Sequence, residues 1–200
     1  MDRVIGAFGG TFDPPHLGHL FLAVEAAYQL KLERVLWVLV GDPPHKPEAP
    51  LTPAAIRLHM TRAALGGRPG FELSRVDLDR PGPHYAVDTM RLLQSAHPGE
   101  RWAYLMGGDS LRDLPVWHEP AEFLARCDHL AVMPRPQAPL DLDALERALP
   151  GLRAKLHILR APYVVLSASD LRRRVRERHP FEHLLPPGVA DVIRAHGLYR

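Results

Sequence analysis

The chain has a single cysteine, Cys127, in 200 residues, which excludes an internal disulfide framework and any cysteine-rich zinc or iron–sulfur centre. Long apolar runs are missing as well. The longest strongly apolar stretch, Val35 to Val40, is six residues, against the ~20 needed to span a bilayer. Neither sign of charge is in excess: 25 basic and 23 acidic residues leave a net charge of +2, too little for a general nucleic-acid coat. Lysine is scarce, with only Lys31, Lys46 and Lys155, so arginine supplies 22 of the 25 cations. The opening residues Met1-Asp2-Arg3-Val4 lead straight into a strand pattern, without a signal-like or transit-like segment. The expectation is a cytoplasmic protein with no membrane and no nucleic-acid partner.

What is abundant is proline and glycine, 21 and 15 residues, and histidine, 12 residues. With 46% hydrophobic and 24% charged residues, the chain can bury a sizeable core without staples. One domain over residues 1–200 is expected, with about 165–200 forming a helical part. Short β-branched runs alternate with stretches of helical period, the pattern of an α/β fold with a doubly wound, Rossmann-like parallel sheet. Strands are predicted at Val4 to Phe8, Val35 to Val40, Phe71 to Val76, Trp102 to Met106, His129 to Met133 and Leu156 to Leu159. Helices are predicted at Leu17 to Leu30, Pro53 to Leu65, Val87 to Ala96, Ala121 to Ala125, Leu142 to Leu149, Ser169 to Arg178 and Val189 to His196. Thr52 before Pro53 reads as an N-cap. The stretch Asp42 to Pro53 reads as a stiff functional loop. In such sheets ligands bind beyond the carboxyl ends of the strands.

The strongest local feature is Gly9-Gly10-Thr11-Phe12-Asp13-Pro14-Pro15-His16-Leu17-Gly18-His19, between the first strand and the first helix. It is neither a P-loop nor a dinucleotide fingerprint. The glycines let a phosphate or sugar approach the backbone closely, and the helix start offers N–H groups and a positive dipole end. His16 and His19, three apart, can face one anion. Such a site suits nucleotidyl transfer, which needs charge stabilisation more than a nucleophile. A tight turn with capping or core histidines, or a zinc pair, are the alternatives for His-x-x-His taken alone.

The whole segment resembles the signature of the nucleotidylyltransferase superfamily, whose His-x-Gly-His element binds ATP phosphates. A second superfamily element is matched about 150 residues on by Leu166-Ser167-Ala168-Ser169-Asp170-Leu171-Arg172. There Ser169 is placed as an N-cap and Arg172 one turn inside, so N–H groups and a guanidinium can converge on a polyphosphate. Arg173, Arg174 and Arg176 read as a solvated face.

Length and middle segments resemble the bacterial family that adenylylates nicotinate mononucleotide. The matching segments are Pro43-Pro44-His45-Lys46, Arg57-x-His59-Met60, Met106-Gly107-Gly108-Asp109-Ser110-Leu111, Pro115-Val116-Trp117, Arg135-Pro136, and Leu184 to Pro187 with Gly197 to Arg200. The resemblance implies transfer of the adenylyl group of ATP to nicotinate mononucleotide in NAD biosynthesis, with Mg²⁺ carried on the phosphates and no protein metal site. It implies His16, His19 and Arg172 as catalytic. Gly9, Gly10, Thr11, Phe12, Gly18, Gly107, Asp109, Ser167 and Ser169 would lie at ATP. Asp13, His45, Lys46, Tyr85, Ala86, Trp117 and Arg135 would lie at the acceptor. A homo-oligomer is an open possibility. Pro83-His84-Tyr85-Ala86 departs from the family pattern Ser-Tyr-Thr by His84 and Ala86, at a stretch that recognises the nicotinate carboxylate through backbone N–H groups. Tyr199 and His196 read as packing. Other phosphate acceptors (nicotinamide mononucleotide, phosphopantetheine, flavin mononucleotide) and a non-catalytic nucleotide sensor are the rival functions.

Overall fold

The computed structural model describes residues 3–43, 51–134, 139–162 and 165–200. Six strands form one parallel sheet: β1 (Val4–Gly10), β2 (Arg34–Leu39), β3 (Phe71–Ser74), β4 (Arg101–Gly107), β5 (His129–Met133) and β6 (Leu156–Ile158). Their order is β3-β2-β1-β4-β5-β6, so the chain reverses direction across the sheet between β1 and β4. Doubly wound sheets bind ligands at that switch point. All six strands lie where the β-branched runs predict them.

The helices are α1 (Leu17–Gln29), α2 (Ala54–Leu65), α3 (Ala86–Ala96), α4 (Gly108–Asp113), α5 (Pro120–Arg126), α6 (Leu142–Ala148), α7 (Leu152–Lys155), α8 (Ala168–Arg176) and α9 (Val189–Ala195). The short α4 and α7 escape prediction because six and four residues are too few to display a helical period. Among the described residues no helix is long and apolar enough to cross a membrane.

Both faces of the sheet are covered, and the strand residues divide between them with period two. Ile5, Ala7, Leu36, Val38, Trp102 and Tyr104 pack on one side with α3, α5 and α6. Phe8, Val35, Trp37, Leu39, Ala103 and Leu105 pack on the other with α1 and α2. Trp37 and Trp102, one on each face, are fully buried; each such side chain contributes roughly 2–3 kcal/mol of transfer free energy. A third cluster, including Met60, Leu166, Leu171, Val189, Val192 and Ile193, joins α8 and α9 to α2.

The register of β1 creates the crevice. β1 pairs with β4 only from Val4 opposite Arg101 to Ala7 opposite Tyr104, while with β2 it pairs up to Gly10 opposite Leu39. Above Ala7 the two central strands therefore part, and the last residues of each line an open cavity.

Thr52 is not the side-chain cap of α2. Pro53 occupies the N-cap position, with no side-chain hydrogen bond. The backbone of Thr52 is used instead: its N–H donates to Asp13 Oδ2 at 3.1 Å and its carbonyl accepts from Arg57 Nε at 2.8 Å.

Candidate active site

The cavity at the β1/β4 crevice has a volume of about 870 Å³, within the range of small-molecule sites. Its lining includes Gly9, His16, His19, Trp117, Ser169 and Arg172, residues drawn from the first, middle and last parts of the chain.

The wall after β1 is a rigid turn. A Cβ on Gly9 would sit 2.6 Å from the Tyr104 hydroxyl oxygen, and one on Gly10 would sit 2.8 Å from the Phe12 ring. The protein's own aromatic side chains thus require both glycines, whatever a ligand also needs. Phe12 itself has φ 47° and is 1% exposed, packed edge-on against Phe8 and His19. A positive φ is unusual for a bulky residue; here it drives the ring into the core and leaves the backbone of the turn towards the cavity.

His16 caps α1, an uncommon choice beside Ser, Thr, Asp or Asn. A reciprocal capping box results: His16 Nδ1 accepts the His19 N–H at 3.3 Å, and His19 Nδ1 accepts the His16 N–H at 3.2 Å. The two rings stack with centroids 3.7 Å apart. An Nδ1 that accepts a hydrogen bond carries no proton, so each neutral ring bears its proton on Nε2. The pair is thereby set as two Nε2–H donors on rings that line the cavity. No acidic residue occupies the first turn of α1, so no carboxylate of that turn opposes its positive dipole end.

The opposite wall is the start of α8. The cap there is Ser167, whose side chain accepts from the Asp170 N–H at 3.1 Å; Ser169, expected as the cap, lies inside the first turn with its Oγ 3.0 Å from that of Ser167. Ser-Ala-Ser-Asp offers two starting points, and Ser167 with Asp170 three residues on satisfies the capping-box spacing. The carboxyl of Asp170 is held below the usual carboxylate range by Arg173 and then Arg174. Those two arginines are ion-paired along the helix. Arg172 points differently, its Nη1 donating to the Asp13 carbonyl at 2.8 Å. The two phosphate-type elements, 159 residues apart in sequence, are thus in direct contact.

Asp13, expected at the acceptor, lines the cavity, and its side chain also holds two distant segments. It is 2% exposed, with Oδ2 accepting the Thr52 N–H and Oδ1 accepting the Tyr199 hydroxyl at 2.5 Å. Tyr199 therefore does more than pack.

Beside α3, Tyr85 occupies the N-cap position without a side-chain capping bond and stacks on His118 with centroids 4.1 Å apart. Ala86 and Trp117 line the same part of the cavity, and Trp117 leans on Phe123 at 5.3 Å. Asp88, at the start of the same helix, is paired with Arg91 at 2.8 Å, which offsets its charge against a bound anion. Buried His84 is a brace: its Nδ1 accepts the Asp42 N–H at 2.8 Å, and its Nε2 lies 3.2 Å from the Arg80 carbonyl. The departure from the family pattern at this position thus ties two loops together. Gly107 and Asp109, expected at ATP, line the cavity at the end of β4, with Asp109 3.3 Å from Arg112. Gly18 and Thr11 line it as well. His45, Lys46 and Arg135 lie outside the described residues.

Three contributors were not among the residues expected at the site. Arg57, 1% exposed, donates to the carbonyls of Thr52, Thr11, Val40 and Gly41 at 2.7–2.9 Å. Burial lowers its pKa from the ordinary guanidinium value, with the charge of Asp13 opposing that shift. Asp77, fully buried, holds the Thr89 hydroxyl at 2.9 Å and Arg80 at 2.9 Å beside the start of α3. Tyr104 fills the crevice under Gly9. No thiol chemistry is on offer: burial pushes the Cys127 thiol up to about 12, and its Sγ contacts the Phe123 carbonyl at 3.3 Å.

The chain belongs to the cytidylyltransferase-like family, whose model matches residues 7–174, and its class is that of the nucleotidyltransferases. Within that class the similarity is to one enzyme in particular. "Probable nicotinate-nucleotide adenylyltransferase" of Thermomicrobium roseum is 44% identical over 196 residues, 98% of this chain and 91% of the relative. The protein of the same name from Synechococcus sp. (strain JA-3-3Ab) is 41% identical, covering 100% of this chain and 96% of the relative. Among solved structures, Plasmodium falciparum nicotinic acid mononucleotide adenylyltransferase complexed with NaAD superposes with a TM-score of 0.80 at 16% identity, over 98% of this chain and 97% of that one. At that identity the likeness speaks for the fold.

Proposed function

We propose that the protein transfers the adenylyl group of ATP to nicotinate mononucleotide, yielding nicotinate adenine dinucleotide and pyrophosphate, a step of NAD biosynthesis in the cytoplasm. The observation that carries this reading is the convergence of His16, His19 and Arg172 on one cavity, in a chain 44% identical to a curated relative of that name. A phosphate oxygen of nicotinate mononucleotide attacks the α-phosphorus of ATP in line. The new O–Pα bond forms as the bond from Pα to the bridging oxygen breaks, and the electron pair leaves with pyrophosphate. No covalent enzyme intermediate is needed, so the protein contributes positioning and charge stabilisation. His16 and His19 donate Nε2–H to the bridging and α-phosphate oxygens. Arg172 steadies the leaving pyrophosphate, with the N–H groups of α8 behind it.

Mg²⁺ bound with ATP would supply charge neutralisation on the phosphates. The carboxylate of Asp109 and the hydroxyls of Thr11 and Ser169 are hard oxygen donors of the kind it accepts. Among the described residues no group of three His, Cys, Asp or Glu side chains is arranged to hold a metal. Trp117 and Tyr85 offer flat faces for the pyridinium ring, and the start of α3 offers N–H groups for its carboxylate.

Chromatography of the product from ATP and an equal mixture of nicotinate and nicotinamide mononucleotides tests reaction and selectivity together. Nicotinate adenine dinucleotide as the main product is the expected result. Pyrophosphate release only with phosphopantetheine or flavin mononucleotide would reassign the acceptor. ATP binding without product on any acceptor would make the protein a sensor.

A further inference from the structure

We propose that Tyr199 is a positioning residue for the transfer reaction, its hydroxyl fixing Asp13 so that the Asp13 carbonyl holds Arg172 against the glycine turn. The inference rests on the adenylyl-transfer reading above and adds a residue that touches neither substrate.

The local sequence builds the arrangement. Helix α9 ends in a Schellman motif: Gly197, at φ 57°, gives its N–H to the Arg194 carbonyl at 3.1 Å, and the Leu198 N–H reaches the Ile193 carbonyl at 3.0 Å. The chain then turns again at Tyr199, whose φ is 64°. A left-handed conformation is costly for an aromatic residue and persists only where the surroundings impose it. Here it returns the side chain to the carboxyl edge of the sheet, 186 residues from its partner in sequence.

The partner is a junction. Asp13 Oδ1 accepts the Tyr199 hydroxyl at 2.5 Å, Oδ2 accepts the Thr52 N–H at 3.1 Å, and the carbonyl accepts Arg172 Nη1 at 2.8 Å. One residue thus receives a bond from the segment after α9, from the entry to α2 and from α8. Arg57 holds the same entry from its other side, through the Thr52 carbonyl at 2.8 Å. Burial first, then the nearby Asp13 carboxylate, push the Tyr199 hydroxyl above the ordinary phenol range, so it remains a donor at any working pH. Taking the hydroxyl away leaves a buried carboxylate oxygen short of a donor. Asp13 then relaxes, and the carbonyl that aims Arg172 moves with it.

A packing role would leave Phe as good as Tyr at this position, and that is the test. Tyr199→Phe is compared with wild type and with Leu198→Ala, which trims the apolar contact of the same turn and leaves the hydrogen bonds alone. Steady-state turnover is measured with ATP and nicotinate mononucleotide well below each melting temperature. Tyr199→Phe is expected to lose about 10- to 100-fold in kcat, as a small misplacement does, with both KM values within about twofold of wild type. Leu198→Ala is expected to keep kcat within about twofold while melting lower. Wild-type kcat in Tyr199→Phe overturns the positioning claim. An equal loss in Leu198→Ala, a loss confined to KM, or a Tyr199→Phe chain that does not fold each overturns it too, because the hydroxyl would then serve stability or binding. The wild type run in parallel separates the two claims: no product with nicotinate mononucleotide defeats the proposed function, whereas an active wild type matched by Tyr199→Phe defeats only this inference.

Discussion

Two pairs of histidines in direct contact stand at opposite edges of the same sheet. His16 and His19 stack at the carboxyl edge with centroids 3.7 Å apart. His129 and His157, on β5 and β6 at the amino edge, meet at a steep 75° with His129 Nδ1 2.9 Å from His157 Nε2. Composition treats them alike, and their use of nitrogen atoms separates them. The first pair spends Nδ1 on backbone N–H groups, which leaves Nε2 to carry the proton of a neutral ring. The second pair spends its nitrogens on itself, with His129 Nε2 also 3.3 Å from Arg101 Nη2. A histidine pair becomes a candidate phosphate clamp through what anchors it, and proximity alone does not suffice.

The comparison can be broken experimentally, the largest effect first. His19→Ala removes one donor from the cavity and is expected to lower kcat by ~10²- to 10³-fold while the protein stays folded by circular dichroism. His129→Gln, assayed beside it at pH 7.5, is expected to keep full turnover. Equal losses would erase the distinction between the two edges.

Arg57→Leu leaves four carbonyls without their shared donor, and urea unfolding is expected to register a loss of about 3 kcal/mol or more. A loss below about 1 kcal/mol would mean that the carboxyl edge does not depend on this guanidinium.

The pH response should be smaller and should belong to the amino edge. Burial, then the neighbouring His157 and Arg101, lower the pKa of His129. The unfolded value is about 6.5, so the folded state prefers the neutral ring more than the unfolded state does. The stability this contributes is complete above about pH 6.5 and is lost as pH falls towards the folded value. Melting temperatures recorded from pH 7.5 to 5.5 should fall, and fall less in His129→Gln; parallel curves would remove the effect from this residue. The smallest signal is that of Cys127, one residue before Asp128 and two before His129. With its thiol raised to about 12, a thiol reagent at pH 8 should label it only after denaturant is added.

The strands and the glycine–histidine turn were legible because their information is local. A β-branched run between turn signals marks a strand wherever it lies, and Gly9 to His19 is contiguous. The same locality explains the errors. Ser167 and Ser169 stand two residues apart with equal capping chemistry, and only the helix start decides between them. Asp13 was legible as part of the turn, while the partners of its side chain, 39 and 186 residues away, left no mark in the sequence. Arg57 sits in Ala-Ala-Ile-Arg-Leu-His-Met with nothing to mark it as buried. Its depth follows from where the carbonyls after β1 and β2 fall, which is a property of the folded sheet.

The guanidinium of Arg57 also acts as an insulator. The carboxyl edge of a parallel sheet presents carbonyl oxygens, whose partial negative charge would repel a triphosphate. The carbonyls of Thr11, Val40, Gly41 and Thr52 are turned onto this one buried cation. In the proposed reaction a triphosphate would meet helix N–H groups and imidazole donors, with these four carbonyl dipoles already quenched.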